Sequence, residues 1–321
     1  MVKALLIGCG NIGAGYDLHQ ETKVWSHAKA YANTPGLQFT VVDTDAEKAR
    51  EVAETYGARY LPELADISLR AFDIVSITTP TTTHFNYLSS ALTENVPVII
   101  CEKPVVGNLE QTAQLESIYR QSSSKVLVNY IRRFQPAYQQ LNKMLLGTQE
   151  QIPRSIVIKY KRGFLNNASH AVDLLELLLG EPFLFQRFQF SIAEFDAFDY
   201  DPTLTATCLY GKIPVSFIGI SQVSYAVFEL EFFFASSKIV VCHSGNEIRF
   251  YSDVKGNLVE QLALRQTGIL DAYMLPVMQE AMALVSGTSK QDNFLSALQL
   301  NKRQLQIIES IKTTTNATAS H

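Results

Sequence analysis

Through the first 130 residues, near-continuous apolar runs at 2–7, 37–42, 73–77, 96–101 and 126–130 alternate with stretches of helical period at 46–56, 83–93 and 109–121. Runs that are apolar on both sides predict strands with helices over both faces, the pattern of a parallel sheet. Asn108 stands where it would cap the helix over 109–121, and Gly57 where it would stop the helix over 46–56. After a further helix predicted over 136–146, the period shortens to two. Residues 155–161, 185–192, 203–210, 226–234 and 247–251 alternate strictly, as in Phe228-Glu229-Leu230-Glu231-Phe232, which predicts half-buried antiparallel strands. Helices are predicted over 169–179, ending at Gly180-Glu181-Pro182, and over 272–285 and 293–311, with a polar, frayed end over 313–321.

These patterns make two domains: an α/β doubly wound (Rossmann) domain over 1–124, and an α+β domain over 125–321 built on a large, mainly antiparallel open sheet. A length of 321 residues suits two domains of ordinary size. Lys plus Arg number 27 against 31 Asp plus Glu, a net charge of −4, which disfavours nucleic acid or an anionic membrane surface as partner. No apolar run approaches the roughly 18 residues of a membrane span. Cys9, Cys101, Cys208 and Cys242 form no C-x-x-C pair, so reduced, buried thiols in a cytoplasmic protein are expected, and no metal site. Charged residues are 18% of the chain, below the roughly 25% of an average protein, which hints that some surface is covered.

Gly8-Cys9-Gly10-Asn11-Ile12-Gly13 is G-x-G-x-x-G directly after the first strand. Gly8 permits the tight turn, Gly10 the approach of a pyrophosphate, and Gly13 close packing of a following helix, whose N-terminus would face the phosphates. Asp43 ends the second strand, where a carboxylate binds the adenosine ribose hydroxyls and repels a 2′-phosphate, so NAD is expected over NADP. The interval from Gly13 to Asp43 is 43 − 13 = 30 residues, longer than the usual roughly 20. The surplus falls in 14–26, a loop that either reaches over the cofactor or bulges into solvent. Lys103, in Cys101-Glu102-Lys103-Pro104, follows another strand and so points towards the nicotinamide end, able to stabilise a developing alkoxide.

Taken with Thr79-Pro80-x-x-x-His84, Arg133-Phe134-x-Pro136 and His170-x-x-Asp173, these motifs resemble the glucose–fructose oxidoreductase / inositol dehydrogenase / MocA family over nearly the whole chain. The resemblance implies an oxidoreductase with a tightly held NAD(P), and a second domain whose sheet mediates a homodimer or homotetramer. It implies that Lys103 and His170 are catalytic, with Lys103–Pro104 often cis. It also implies that Asn11, Ile12, Thr78, Thr79, Pro80 and Glu102 lie near the cofactor, and His84 beside the nicotinamide pocket. Asn166 stands where family sugar dehydrogenases carry Asp. An amide orients a hydroxyl but takes no proton, so proton transfer is expected of His170, with Lys103 as its electrostatic partner. Two other classes share the scaffold, NAD-dependent glycoside hydrolases acting by transient oxidation and non-catalytic dinucleotide sensors.

Arg133, Tyr160, Lys161, Arg162 and Asn167 are candidates to hold a sugar-like substrate, the cations among them suiting an acidic or phosphorylated one. Asp173 is expected to be structural and Glu176 solvated. Nine phenylalanines, Phe183, Phe185, Phe188, Phe190, Phe217, Phe228, Phe232, Phe233 and Phe234, predict that one face of the second sheet is apolar and buried against a second subunit.

Overall fold

The computed structural model describes residues 1–64, 67–146, 152–290 and 292–318. The chain divides into two compact units, residues 1–134 with 271–299, and residues 135–270 with 300–321.

The first unit holds β1 (Val2–Ile7), β2 (Leu37–Val42), β3 (Arg59–Tyr60), β4 (Ile74–Ile77), β5 (Val98–Cys101) and β6 (Lys125–Val128) in one parallel sheet of order β3-β2-β1-β4-β5-β6. That is the dinucleotide-binding order, with its crossover point between β1 and β4. Every residue of β4 and β5 is buried, as a strand covered on both faces requires. α1 (His27–Ala32), α2 (Ala46–Tyr56), α3 (Thr81–Thr93) and α4 (Leu109–Gln121) connect the strands. Asn108 caps α4 through Gln111 N–H at 3.0 Å, and Gly57 ends α2 in the left-handed region with φ 64°.

Two expectations fail here. The boundary after residue 124 would give β6 to the second domain, yet β6 pairs with β5 from Val98↔Lys125 to Cys101↔Val128. Nor does the glycine motif open the helix directly: Asn11–Gly15 make one wide turn, and α1 starts only at His27. The intervening segment folds onto its own unit. Asp17 is fully buried, and its Oδ2 accepts the N–H groups of Trp25 and, at 2.9 Å, Ser26. Lys23 pairs with Asp271 at 2.7 Å.

The second unit opens with α5 (Pro136–Leu146) and builds its sheet on β7 (Ser155–Tyr160). α6 (Ser169–Leu179) follows, then β8 (Gln186–Glu194), β9 (Thr203–Tyr210), β10 (Ile213–Gly219) and β11 (Phe228–Phe233). β12 (Ser237–Cys242), β13 (Glu247–Val254), β14 (Asn257–Glu260) and β15 (Gln266–Thr267) complete it. The order is β14-β13-β12-β11-β7-β10-β9-β8 with β15 on β13, antiparallel except for the β7–β10 pair. α7 (Met274–Val285) returns to the first unit, and α8 (Phe294–Thr318) begins in the first and continues in the second. α8 carries helix past the predicted end at 311; residues 319–321 lie outside the described residues. β10 and β12 were absent from the predicted strands because Pro214 and the short Ser237–Cys242 run mask their alternation.

Alternation in β11 is as read: Phe228, Leu230 and Phe232 are buried and Glu229 and Glu231 face the other side. Five of the nine phenylalanines, however, point inward. Phe183, Phe185, Phe217, Phe228 and Phe232 are buried in the unit's own core, where Phe183 and Phe185 lie 4.6 Å apart between ring centres and Phe164 and Phe217 5.7 Å. The outer face is instead laced by charge, with Lys159 2.6 Å from Glu231, and Lys238 bonded to the same carboxylate. Burying the rings of β11 at its inward positions leaves Glu229 and Glu231 outward, where they meet the lysines of the neighbouring strands.

Candidate active site

In the first unit the glycine loop is held from two sides. Gly8 sits at φ 99°, and a Cβ there would lie 3.0 Å from the Thr78 backbone. A Cβ on Gly13 would come within 2.2 Å of the Gly8 carbonyl and 2.9 Å of Thr78 Oγ1. Thr78 itself donates to the Gly8 carbonyl at 2.6 Å. Gly10 differs: a Cβ there meets nothing within 4 Å, although it would narrow the space over the turn. The turn's own bonds begin with Ala14 and Gly15 donating to the Gly10 carbonyl at 2.9 and 3.0 Å, so the N–H groups of Asn11, Ile12 and Gly13 precede its hydrogen bonding. This cradle fits a diphosphate through backbone donors rather than through a long helix dipole.

Asp43 pins the loop to the end of β2. Its Oδ2 accepts Cys9 N–H at 2.5 Å and its Oδ1 accepts Asp45 N–H at 2.8 Å. Oδ1 also accepts from Thr44 Oγ1 at 3.3 Å, while Oδ2 has a second lone pair that suits a ribose hydroxyl. Burial, reinforced by the Asp43 charge, pushes the Cys9 thiol up to about 12, so it stays protonated.

Across β4 and β5 the loops are stitched by His84, which is 1% exposed. Its two ring nitrogens lie 2.9 Å from the carbonyls of Pro104 and Thr79, tying α3 to the loop that carries Lys103. Both nitrogens being taken up by backbone, His84 positions that loop rather than offering a nitrogen to a nicotinamide. Thr79 Oγ1 accepts from Thr83 at 2.8 Å, and Pro80 precedes α3. The Lys103–Pro104 peptide is cis. Glu102, expected only near a cofactor, is the centre of a buried network: its Oε1 accepts His27 Nε2 at 3.0 Å and Asn129 Nδ2 at 2.6 Å. Burial pushes its carboxyl up, but the bonds from His27 and Asn129 and the Lys103 charge outweigh this and hold it below the usual range. His27, Ser76 and Asn129 escaped the sequence reading. Their signal was present: Ser76 and Asn129 are lone polar residues in otherwise apolar strand runs.

In the second unit His170 opens α6 and is 8% exposed, its ring edge-on to Phe228 at 6.5 Å between centres. The preceding Gly163–Ala168 turn is wide, and buried Asp201 organises it by accepting Leu165 and Asn166 N–H at 2.7 and 2.8 Å. Gly163, at φ 88°, lies against that carboxylate so closely that a Cβ would sit 2.0 Å from Asp201 Oδ2. Asn166 is half-buried and its amide donates to the Arg162 carbonyl at 3.3 Å; Asn167 donates to the Lys161 carbonyl at 2.8 Å. Arg162 is exposed, 5.9 Å over Phe198, and Arg133, in the first unit, is half-buried.

Tyr160 is not available to a substrate. It is fully buried, donating to the Leu204 carbonyl at 3.0 Å and accepting Leu204 N–H at 2.8 Å. Glu176 is not solvated either: its Oε1 accepts from Arg303 at 2.6 Å and from Phe183 N–H at 2.8 Å. Cys242, His243 and Glu247 bring ligand-type atoms within 4.8 Å of one another, but Glu247 is committed to Arg249 at 2.5 Å and Arg265 at 2.6 Å, whose charges oppose a cation. All four cysteines are free and buried. No helix among the described residues is long and apolar enough to cross a membrane.

A parallel sheet with this strand order, a glycine cradle at its crossover and an acidic residue ending β2 define a dinucleotide-binding protein. Residues 2–130 match the glucose–fructose oxidoreductase / inositol dehydrogenase / MocA profile, described as an oxidoreductase family with an NAD-binding Rossmann fold. It is 32% identical over 163 residues to UDP-N-acetylglucosamine 3-dehydrogenase of Acidithiobacillus ferrooxidans, covering 48% of this chain and 50% of that one. It is 28% identical over 200 residues to scyllo-inositol 2-dehydrogenase (NAD(+)) of Bacillus subtilis, covering 56% and 54%. The chain thus spans about half the length of these curated relatives. Among solved structures, UDP-N-acetylglucosamine 3-dehydrogenase from Acidithiobacillus ferrooxidans matches at TM-score 0.74 and 22% identity over 95% of this chain and 96% of that one. A 3-ketoreductase from Actinomadura kijaniata, in complex with NADP and TDP-benzene, matches at TM-score 0.70 and 15% identity over 97% of each chain. These likenesses establish the fold across both units.

Proposed function

We propose that this protein is an NAD-dependent oxidoreductase that interconverts a secondary alcohol and a ketone on a sugar or nucleotide-activated sugar. The observation that carries this reading is the glycine cradle, closed at Gly8 and Gly13 and open at Gly10, beside Asp43. Backbone N–H groups of residues 11–13 would hold the diphosphate, and Asp43 the adenosine ribose, disfavouring a 2′-phosphate. When bound, the nicotinamide supplies or accepts the hydride.

The chain's own residues handle orientation and the proton. Lys103 donates to the substrate oxygen and stabilises negative charge developing on it. His170 takes the hydroxyl proton in oxidation and returns it in reduction, and Asn166 orients the hydroxyl without exchanging a proton. Arg133, Arg162 and Asn167 are the remaining substrate-binding candidates. The names of the relatives, which act on inositols and on a nucleotide sugar, support the substrate class.

The test is purified protein with NAD and a panel of inositols, sugars and UDP-sugars, followed by NADH absorbance. Net NADH is expected with at least one, falling about 10²-fold or more in Lys103→Met and in His170→Ala. Full turnover by His170→Ala alongside a dead Lys103→Met would overturn the division of labour.

We also propose that the chain self-associates through the second sheet. Its β14 edge and the following segment expose Leu258, Val259, Leu262 and Leu264, a cluster of apolar side chains on an open strand edge.

A further inference from the structure

Behind Lys103 runs a chain of buried polar groups that the reaction does not itself require. Tyr31 OH lies 2.6 Å from Ser76 Oγ, Ser76 Oγ 3.0 Å from His27 Nδ1, and His27 Nε2 3.0 Å from Glu102 Oε1. Tyr31, Ser76 and His27 are each fully buried and Glu102 is 7% exposed. They come from α1, β4 and the residue that follows β5, next to Lys103 in the chain.

Hydrogen-bond inventory gives the chain a direction. An ionised carboxylate only accepts, so His27 Nε2 must carry a proton and donate to Glu102. Ser76 then gives its single proton to His27 Nδ1 and receives one from Tyr31. Burial pushes the Tyr31 hydroxyl up, keeping it a donor. Asn129 adds a second donor to Glu102 Oε1 at 2.6 Å, and its amide nitrogen also lies 3.2 Å from Met274 Sδ. Both inward donors therefore converge on one oxygen of Glu102. Oriented dipoles in series polarise one another, and a carboxylate held this way is fixed in both charge and rotamer.

We infer that Tyr31, Ser76 and His27 are positioning residues: they lock Glu102 as a fixed negative charge behind Lys103, which sets that lysine as a cationic donor and leaves proton acceptance to His170. The inference rests on the oxidoreductase reading and assigns the chain a task within it. None of the three residues touches the reacting atoms.

The experiment compares His27→Leu, His27→Gln and Ser76→Ala. Leucine fills the volume without donating, whereas the glutamine Nε2 reaches the place of the imidazole Nε2. His27→Leu is expected to lose about 10- to 100-fold in kcat with KM for NAD and for the sugar within about 3-fold, and His27→Gln to recover to within about 5-fold of wild type. Wild-type kcat in His27→Leu, or no recovery in His27→Gln, overturns the inference. Should His27→Leu fail to fold, Ser76→Ala decides: a kcat loss of about 5-fold at unchanged KM supports the chain, and an unchanged kcat overturns it.

If the wild type turns over nothing on the panel, the oxidoreductase reading fails, and the chain is then tested without activity. Melting temperatures of His27→Leu, Glu102→Gln and the double variant at pH 7 form a cycle. The double variant is expected to lose less than the sum of the singles, and strict additivity overturns the coupling of His27 to Glu102.

Discussion

At the scale of single residues, the three glycines of the cradle have three different jobs, and substitution separates them. Gly13→Ala forces a Cβ to within 2.2 Å of a backbone carbonyl that cannot swing away, so it should cost about 1–3 kcal/mol of stability and abolish cofactor binding. Gly10→Ala meets no protein atom within 4 Å. Its melting temperature should match wild type, while NAD affinity, measured by calorimetry, should fall at least about 10-fold because the methyl occupies the approach of the diphosphate. Equal NAD affinity in Gly10→Ala would remove the diphosphate from this turn. The motif made these residues visible in the sequence. Tyr160 shows the opposite case: its place at a strand end suggested a ligand, but the inward phase of β7 and two bonds to Leu204 commit it to the core.

Among elements, the wide turn before α6 depends on one buried carboxylate remote in sequence. Asp201 accepts two N–H groups of the Gly163–Ala168 turn. Asp201→Asn replaces one acceptor by a donor facing a donor, and should lower unfolding free energy in urea by about 2–3 kcal/mol while also reducing turnover, since Asn166 and His170 lose their common platform. The strand ladder makes a prediction about pH. Burial pushes Glu231 up, but the bonds and charges of Lys159 and Lys238 outweigh it and hold the carboxyl below its ordinary range; the balance at Glu102 has the same sign. A carboxyl with a folded pKa below its unfolded value of about 4.3 contributes stability above that value and loses it as pH falls through the folded one. Melting temperature should therefore hold from pH 7 to about 5 and drop below about 4, and Glu231→Gln should make that drop shallower. A profile of unchanged steepness would show that the ladder is not what acid breaks.

For the whole molecule, self-association is the claim that composition raised and the fold relocated. The charged fraction of 18% suggested covered surface, and the phenylalanines were its expected address. Five of them, Phe183, Phe185, Phe217, Phe228 and Phe232, are buried in the second unit's own core, while Leu258, Val259, Leu262 and Leu264 at and beyond the β14 edge are exposed. Sedimentation at micromolar concentration should show a dimer or larger, and Leu262→Glu with Leu264→Glu should shift it to monomer without loss of fold. A monomeric wild type would sink the proposal.

Local patterns determined much of what is local: ten of the strands to within about three residues, though not β3, β10, β12, β14 or β15, and also the caps at Asn108 and Gly57, the glycine cradle and Asp43. Those features are encoded by neighbours in the chain, through alternation, capping chemistry and the demand of a tight turn for glycine. Only the tertiary structure decided the pairing of Glu102 with His27, 75 residues away, and the anchoring of the turn before His170 by Asp201. It alone returned α7 to the first unit. A buried hydrogen bond is specified by which side chains meet inside the fold, and a sequence read along its length carries no direct record of that meeting.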